Sequence, residues 1–391
     1  MTTPVLYAVK MPSYIDLFAG AGGMSFGMDR AGWTCLWAQD YWADAVETYR
    51  QNMPDHKVEC VDVRELSKSY LVSALEGRPD WIVGGPPCQG YSTVGRRKRE
   101  DERNLLFLKF RDIVAWLRPS GFVLENVLGL RDMSFQSDVV EVFNELGYNV
   151  SFRILKAADY GVPQLRRRVV FVGHRDVLFD SVVATNVPET YVSVRDAIGD
   201  LPALRAGEYA DHYVNEPTTE YQRHMRADSR RLQGHVASKH PTSLVEAISY
   251  IPDGGNRRDI PVGLQPSSGF HNSYSRLASW LPAVAVTQNM GKPSGTRCIH
   301  PTQDRGLTTR EGARLQSFPD GFTFHGPMMS QRLQIANAVP PLMAEALALS
   351  LEDPSRWKEA APSASPNLDR LEVEARRIED SESVARSDRL W

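Results

Sequence analysis

Hydrophobic and polar positions alternate between two textures over the first half of the chain. Short apolar runs, too brief for helices, recur at Tyr14–Phe18, Thr34–Ala38, Trp81–Val83, Phe122–Leu124 and Val169–Val172. Between them the spacing is helical: from the first run through Ala31, then over Ala43–Asn52, Leu105–Leu117 and Val139–Leu146. This alternation predicts an α/β fold, a doubly wound and mostly parallel sheet with helices on both faces. Val150–Leu155 predicts a further strand, paired with Val169–Val172 as a hairpin. From about residue 177 to 300 the periodicity fades into Pro, Gly, Ser, His and Arg, which predicts a second, smaller and loop-rich domain. Helical spacing returns over Thr309–Gln316 and Gln331–Leu351. Beyond Pro354, charged and small residues predict a flexible tail with at most a weak helix over Leu368–Ile378. The expected division is residues 1–175 completed by 328–353, a second domain over 176–327, and a tail over 354–391.

Composition narrows this picture only modestly. With 391 residues, 42% hydrophobic and 24% charged, the chain has enough apolar material for about two packed domains. The formal net charge of -3 gives no whole-chain sign of nucleic acid, so a nucleic-acid enzyme with this balance must gather its cations on one face. Cys35, Cys60, Cys88 and Cys298 are widely spaced and form no CxxC pair, which argues against a zinc site or disulfides and fits a reducing compartment. The start lacks a secretory pattern and no apolar stretch is long enough to cross a bilayer, so a cytoplasmic protein without a membrane partner is expected.

Two segments carry candidate chemistry. Asp16-Leu17-Phe18-Ala19-Gly20-Ala21-Gly22-Gly23 falls where a first strand hands over to a first helix, a place where glycines permit close approach to a nucleotide. Asp40, at the end of the second strand, is placed to accept hydrogen bonds from ribose hydroxyls, and Asp62, after Val58–Val61, to hold an adenine amino group. Ser25 stands where a third dinucleotide glycine would fall, so an adenosyl ligand without pyrophosphate fits better than a dinucleotide. Further on, Gly84-Gly85-Pro86-Pro87-Cys88-Gln89-Gly90-Tyr91-Ser92 presents one cysteine on a rigid turn at the carboxyl edge of the sheet. A buried cysteine in a Pro-rich turn is the plainer reading of that segment alone.

The order of blocks decides between these readings. The Gly-rich turn, the acidic ribose residue, GPPCQGYS, Glu125-Asn126-Val127, Gln164-Leu165-Arg166-Arg167-Arg168, then Leu307–Glu311 with Arg314–Pro319, and Asn337-Ala338-Val339-Pro340-Pro341, closely resemble the cytosine-C5 DNA methyltransferase family of the restriction-modification type. The resemblance covers about residues 14–175 and 285–350. Asp40 stands where many members carry Glu, Tyr41 where an aromatic stacks on adenine, and Ala336 where Gly is frequent.

The resemblance implies a Rossmann-like catalytic domain that binds S-adenosylmethionine and releases S-adenosylhomocysteine. Its contacts would come from Phe18, Gly20, Gly22, Gly23, Asp40, Tyr41, Asp62, Val63, Pro87 and Asn337. Cys88 would attack C6 of a flipped cytosine and Glu125 would contact N3 and the exocyclic amine. Arg166 and Arg168, alternate residues of an extended segment, would share the face toward the base. Arg96, Arg97 and Arg99 read as phosphate clamps, and Arg230, Arg231, Arg257 and Arg258 as DNA contacts of a target recognition domain. The implied partners are double-stranded DNA and a restriction endonuclease acting on the same site, with the methyltransferase itself a monomer.

Three alternatives are weighed against this. A tRNA cytosine-C5 methyltransferase would share the catalytic domain, but the Cys-Phe-Thr tripeptide of those relatives is absent. A zinc deaminase needs a second cysteine where Tyr91 stands. A non-catalytic binding module has no need of Cys88 and Glu125 together.

Overall fold

Seven strands build the central sheet of the computed structural model, which describes residues 11–87, 102–127, 133–267, 273–295 and 297–360. They are β1 (Ser13–Leu17), β2 (Thr34–Asp40), β3 (Val58–Cys60), β4 (Trp81–Gly84), β5 (Gly121–Val127), β6 (Asn149–Lys156) and β7 (Arg167–His174), in the order β3-β2-β1-β4-β5-β7-β6. All neighbours are parallel except β7, which runs antiparallel to both β5 and β6, so the predicted hairpin is present. The connecting helices are α1 (Gly23–Arg30), α2 (Ala43–Asn52), α3 (Lys68–Ala74), α4 (Glu102–Leu117) and α5 (Met133–Glu145).

Side chains on successive strand residues point to opposite faces, and each face has its own core. Ile15, Leu17, Ile82, Phe122, Leu124 and Phe171 pack with Phe110 and Phe143 of the helices on one side. Tyr14, Trp81, Val83, Val123, Val170 and Val172 pack on the other with Met24 and Met28 of α1 and with the C-terminal helix. Order reverses between β1 and β4, whose chains leave toward opposite edges; in open α/β sheets a cleft opens at the carboxyl ends of such strands.

After β8 (Val177–Phe179) come three short helices, α6 (Val194–Ile198), α7 (Glu220–Arg226) and α8 (Thr242–Ser249), joined by irregular chain. Among the described residues between Phe179 and Trp357 there is no named strand, only isolated bridges. A third core cluster includes Leu201, Tyr221, Met225, Leu277, Phe318 and Phe322 of this region and is shared with Ile335 and, at its edge, Phe26. Buried ion pairs brace it. Arg314, fully enclosed, reaches Asp320 (Nε–Oδ1 2.8 Å) and Asp200, while Arg305 grips Glu311 through two contacts of 2.6 and 2.8 Å. Thr308 and Glu311 form a capping box that starts α9 (Thr309–Leu315).

The single helix expected over Gln331–Leu351 is two: α10 (Met328–Asn337) and α11 (Pro341–Glu352). Pro340 supplies no N–H and Pro341 occupies the first turn of the new helix, so the chain breaks to extended geometry at Ala338. Residues 354–359, expected in the tail, form regular structure. Pro354–Arg356 forms a 3-10 turn and β9 (Trp357–Glu359) pairs antiparallel with β8. Trp357 anchors it, packing on Trp81, His174 and Phe179 and donating to the Leu351 carbonyl at 2.9 Å. The weak helix expected over Leu368–Ile378 lies outside the described residues.

α11 closes the sheet by lying directly on α1. Contact is close enough that a Cβ on Gly27 would sit 2.4 Å from the Pro341 carbonyl oxygen and 2.6 Å from Ala344 Cβ. Gly27→Ala is therefore expected to destabilise the protein by about 1–3 kcal/mol through overpacking, whereas its helix propensity alone would be favourable. Urea denaturation checks the sign: a stabilised variant would show that the two helices can part without cost.

Candidate active site

The carboxyl ends of β1, β4 and β5 border a cleft of about 370 Å³, within the roughly 300–1,000 Å³ of small-ligand sites. On its first side the turn after β1 runs through positive φ at Phe18, Gly20 and Gly22. Asp40 latches this turn to the end of β2, its carboxylate accepting from the amides of Gly20 at 2.8 Å and Trp42 at 2.9 Å. Burial pushes the Asp40 pKa up, against those amide bonds, which hold it down. Asp16 stands inside the same cleft, accepting from Ser25 Oγ at 2.6 Å. It is fully buried, and burial, opposed by the Ser25 hydrogen bond and reinforced by the Asp40 charge, pushes it up to about 7.

The second side is built from β4, β5 and β7. Asn126 donates to the Pro86 carbonyl at 2.8 Å and so fixes the turn that leads out of β4. Glu125 is buried, with Arg168 Nε 2.7 Å from its Oε1. The turn comes so close that a Cβ on Gly85 would lie 2.9 Å from Glu125 Oε2. Burial raises the Glu125 pKa, while the charges of Arg168 and Arg166 pull it down. Arg166, on the same side, donates to the Ala336 carbonyl at 2.7 Å, and burial drives its own pKa to about 9. Gln334, Asn337, Ala338 and Val339 of α10 and the following break complete the lining.

This geometry has close parallels. The C-5 cytosine-specific DNA methylase family matches residues 13–353. The chain belongs to that family. The type II methyltransferase M1.HphI of Haemophilus parahaemolyticus is 40% identical over 354 residues, spanning 88% of this chain and 87% of that protein. M.DdeI of Desulfomicrobium norvegicum is 38% identical over 367 residues, 85% and 87% of the two chains. Among solved structures, a DNA modification methyltransferase encoded within an E. coli prophage superposes with a TM-score of 0.70 at 25% identity, covering 87% of this chain and 98% of that one. The protein is a sequence-specific DNA cytosine-5 methyltransferase of the restriction-modification type, and its cofactor is S-adenosylmethionine.

The cleft fits that cofactor chemically. Two acidic residues, Asp16 and Asp40, line it, which suits a ligand that carries a sulfonium and an ammonium group, and Phe18, Met24 and Pro86 offer apolar surface. Of the cofactor residues read from sequence, Phe18, Gly20, Asp40, Tyr41, Pro87 and Asn337 line the cleft of the methyltransferase. Gly22 and Gly23 shape the turn into α1 without lining it, and Tyr41 is largely exposed at the rim. Asp62 and Val63 are not brought to it: Asp62 is held by Arg64 and Val63 packs in the core. Cys88, Arg96, Arg97 and Arg99 lie outside the described residues. In the second region Arg230, Arg231 and Arg258 are exposed, whereas Arg257 donates to the Pro266 carbonyl and stands over the Tyr274 ring. Asp16 and Asn126 stand in the motif blocks of the sequence but carry no individual role there; a lone acid amid apolar strand residues is the available signal for Asp16.

No helix among the described residues is long and apolar enough to cross a membrane.

Asp16 makes stability depend on pH in a defined direction. Its folded pKa of about 7 lies above the unfolded value near 3.8, so the folded protein holds an extra proton between the two. The group's contribution is full below about pH 4 and declines as pH rises toward 7. Asp16→Asn is expected to flatten that decline, as read from urea denaturation at about pH 5 and about pH 7.5. An unchanged slope would show that Asp16 stays ionised in the cleft.

Proposed function

We propose that this methyltransferase works through a covalent adduct between Cys88 and C6 of a cytosine flipped out of duplex DNA. The observation that carries the reading is the buried Glu125–Arg168 pair standing in the same cleft as Asp40. Cys88 is the residue after Pro87, a lining residue of that cleft. The Cys88 thiolate forms an S–C6 bond and drives the C5–C6 electron pair toward C5. S-adenosylmethionine supplies the methyl group that C5 takes up. A base then removes the C5 proton, the S–C6 bond breaks, and the ring electrons return as the thiolate leaves.

Glu125 meets N3 and the exocyclic amine of the flipped base. A carboxyl whose pKa burial raises is suited to hold a proton at N3 while C6 is attacked. Arg168 orients Glu125, and Arg166 holds the base side against the Ala336 loop. Asp40 accepts from the ribose hydroxyls and Tyr41 covers the adenine, with Phe18, Gly20, Pro87 and Asn337 closing the cofactor side.

The same reading assigns residues 1–175 with 328–353 to catalysis, 176–327 to target recognition and the end of the chain to a tail. Arg96, Arg97 and Arg99 clamp phosphates, and exposed Arg230, Arg231 and Arg258 reach the duplex. A restriction endonuclease of the same specificity is the expected partner of a monomeric methyltransferase that works inside the cell. The relatives at 40% and 38% identity, named as type II methyltransferases, weigh against a tRNA substrate.

Cys88→Ser is expected to abolish methylation while leaving a folded protein that still binds S-adenosylhomocysteine. Wild type should be trapped covalently on DNA carrying 5-fluorocytosine and the variant should not; an active Cys88→Ser enzyme would end the covalent mechanism. Exchanging residues from about 180 to 290 for those of a relative with a known site should move methylation to the donor's sequence, read by bisulfite sequencing of plasmid DNA. An active chimera that still methylates the original site would put readout in the catalytic domain.

A further inference from the structure

The roles above leave Gln164 and Gln316 unused, although both are fully buried and both belong to blocks singled out in the sequence. Their amides meet end to end. Gln164 Nε2 donates to Gln316 Oε1 at 2.5 Å and to the Leu315 carbonyl at 2.9 Å, while its Oε1 accepts from the Val286 amide at 2.9 Å. Gln316 Nε2 donates to the carbonyls of Ile335 at 3.0 Å and Ala338 at 2.8 Å. Every donor of the pair is satisfied, and with the Val286 amide the bonds tie together residues 164, 286, 315–316 and 335–338.

These stretches are the ones that must cooperate. Ala283 pairs with the chain at Pro163 and Leu165, just before Arg166, and the strip that continues from Val286 emerges as exposed Thr287, Gln288 and Asn289. Ala338 lines the cofactor cleft, and the Ala336 carbonyl takes the Arg166 guanidinium. Ser317, next to Gln316, is held at a φ of 64°, a costly backbone for a residue with a Cβ, and its Oγ accepts from the Leu342 amide. A shift of 283–286 against 335–338 breaks at least one bond of a buried amide, and an unpaired buried amide is expensive. The pair therefore transmits displacement instead of absorbing it.

We propose that Gln164 and Gln316 are positioning residues, a buried amide relay that couples docking of DNA on the second region to docking of the cofactor beside Ala338. This rests on the assignment of the cleft to S-adenosylmethionine and of the second region to DNA. Coupling between two sites is reciprocal, so it is measured from either ligand.

The test uses the full chain, S-adenosylhomocysteine, and a duplex bearing the site that bisulfite sequencing identifies for the wild type. The ratio of S-adenosylhomocysteine dissociation constants without and with duplex is the coupling factor. Wild type should bind each ligand alone and show a factor of about five or more. Gln164→Met and Gln316→Met keep side-chain volume and remove the relay; each should hold both single-ligand affinities within about twofold while the coupling factor drops about fivefold or more. If Gln164→Met does not fold, Gln316→Met carries the test, because it leaves the Gln164 bonds to Val286 and Leu315 in place. A wild type without coupling, an unchanged factor in the folded variants, or a loss of single-ligand affinities in parallel with Tm would overturn the relay. A wild type that fails to bind S-adenosylhomocysteine would instead overturn the cofactor assignment.

Discussion

The antiparallel register of β7 on β5 is the constraint from which the site follows. β5 ends at the carboxyl edge of the sheet, and β7, running the other way, begins there. Val127 faces Arg168 and Glu125 faces Val170, so Glu125 and Arg168 are diagonal neighbours on one face. Long side chains at that spacing can touch, and these meet at 2.7 Å. A parallel β7 would have delivered its arginines to the opposite edge, away from Asp40 and the Gly-rich turn. The reversal also brings the chain just before Arg166 to the carboxyl edge of the sheet, and with it the attachment of the second region through Ala283 and Gln164.

Holding so many charges together out of water is costly, and the site shows how that cost is distributed. Asp16, Asp40, Glu125, Arg166 and Arg168 are each shifted toward their neutral forms by burial. Partners offset the penalty unequally. Glu125 has two guanidiniums nearby, Asp40 has backbone amides, and Arg166 has a carbonyl but, among the described residues, no partner for its buried Nε. Incomplete compensation of this kind is unfavourable for folding and useful for chemistry, because a polar ligand entering the cleft finds groups already oriented and short of partners.

Legibility from sequence followed the range of the interaction. Strands and helices of the first half were readable because their signals are local: period-two and helical spacing punctuated by Gly and Pro. The shared face of Arg166 and Arg168 came from the same periodicity. The split between α10 and α11 was also written locally, in Pro340-Pro341, and was passed over because apolar spacing continues through it. By contrast, β8 and β9 pair across most of the second region, and neither three-residue strand has a pattern that marks it. Gln164 and Gln316 stood in recognised blocks, yet a glutamine carries no sign in sequence of being fully buried. Asp62 stands just past the end of β3, as its order along the chain implies, and its exposed pairing with Arg64, two residues on, has no mark in the sequence pattern.

Arginine in the second region teaches the same lesson about burial. In sequence nothing separates the region's arginines from one another, and four of them, Arg230, Arg231, Arg257 and Arg258, are expected at DNA. In the fold the arginines divide into two sets. Arg276, Arg305, Arg310 and Arg314 are interior: Arg305 and Arg314 neutralise Glu311, Asp200 and Asp320, while Arg276 caps the carbonyls of Ile248, Ile251 and His300. Arg226 joins them, paired with Asp200 and lying over the Tyr213 ring. A region with few regular elements has few ladder hydrogen bonds, and multivalent guanidiniums take over the task of joining its loops. Arg226, Arg305, Arg310 and Arg314 set their charges against the buried carboxylates of Asp200, Glu311 and Asp320, and Arg276 pairs with the partly exposed Asp304. What remains on the surface is the exposed set, with Arg230, Arg231 and Arg258 among them, and under the proposed function these are the cations that a chain of formal charge -3 keeps for a phosphate backbone.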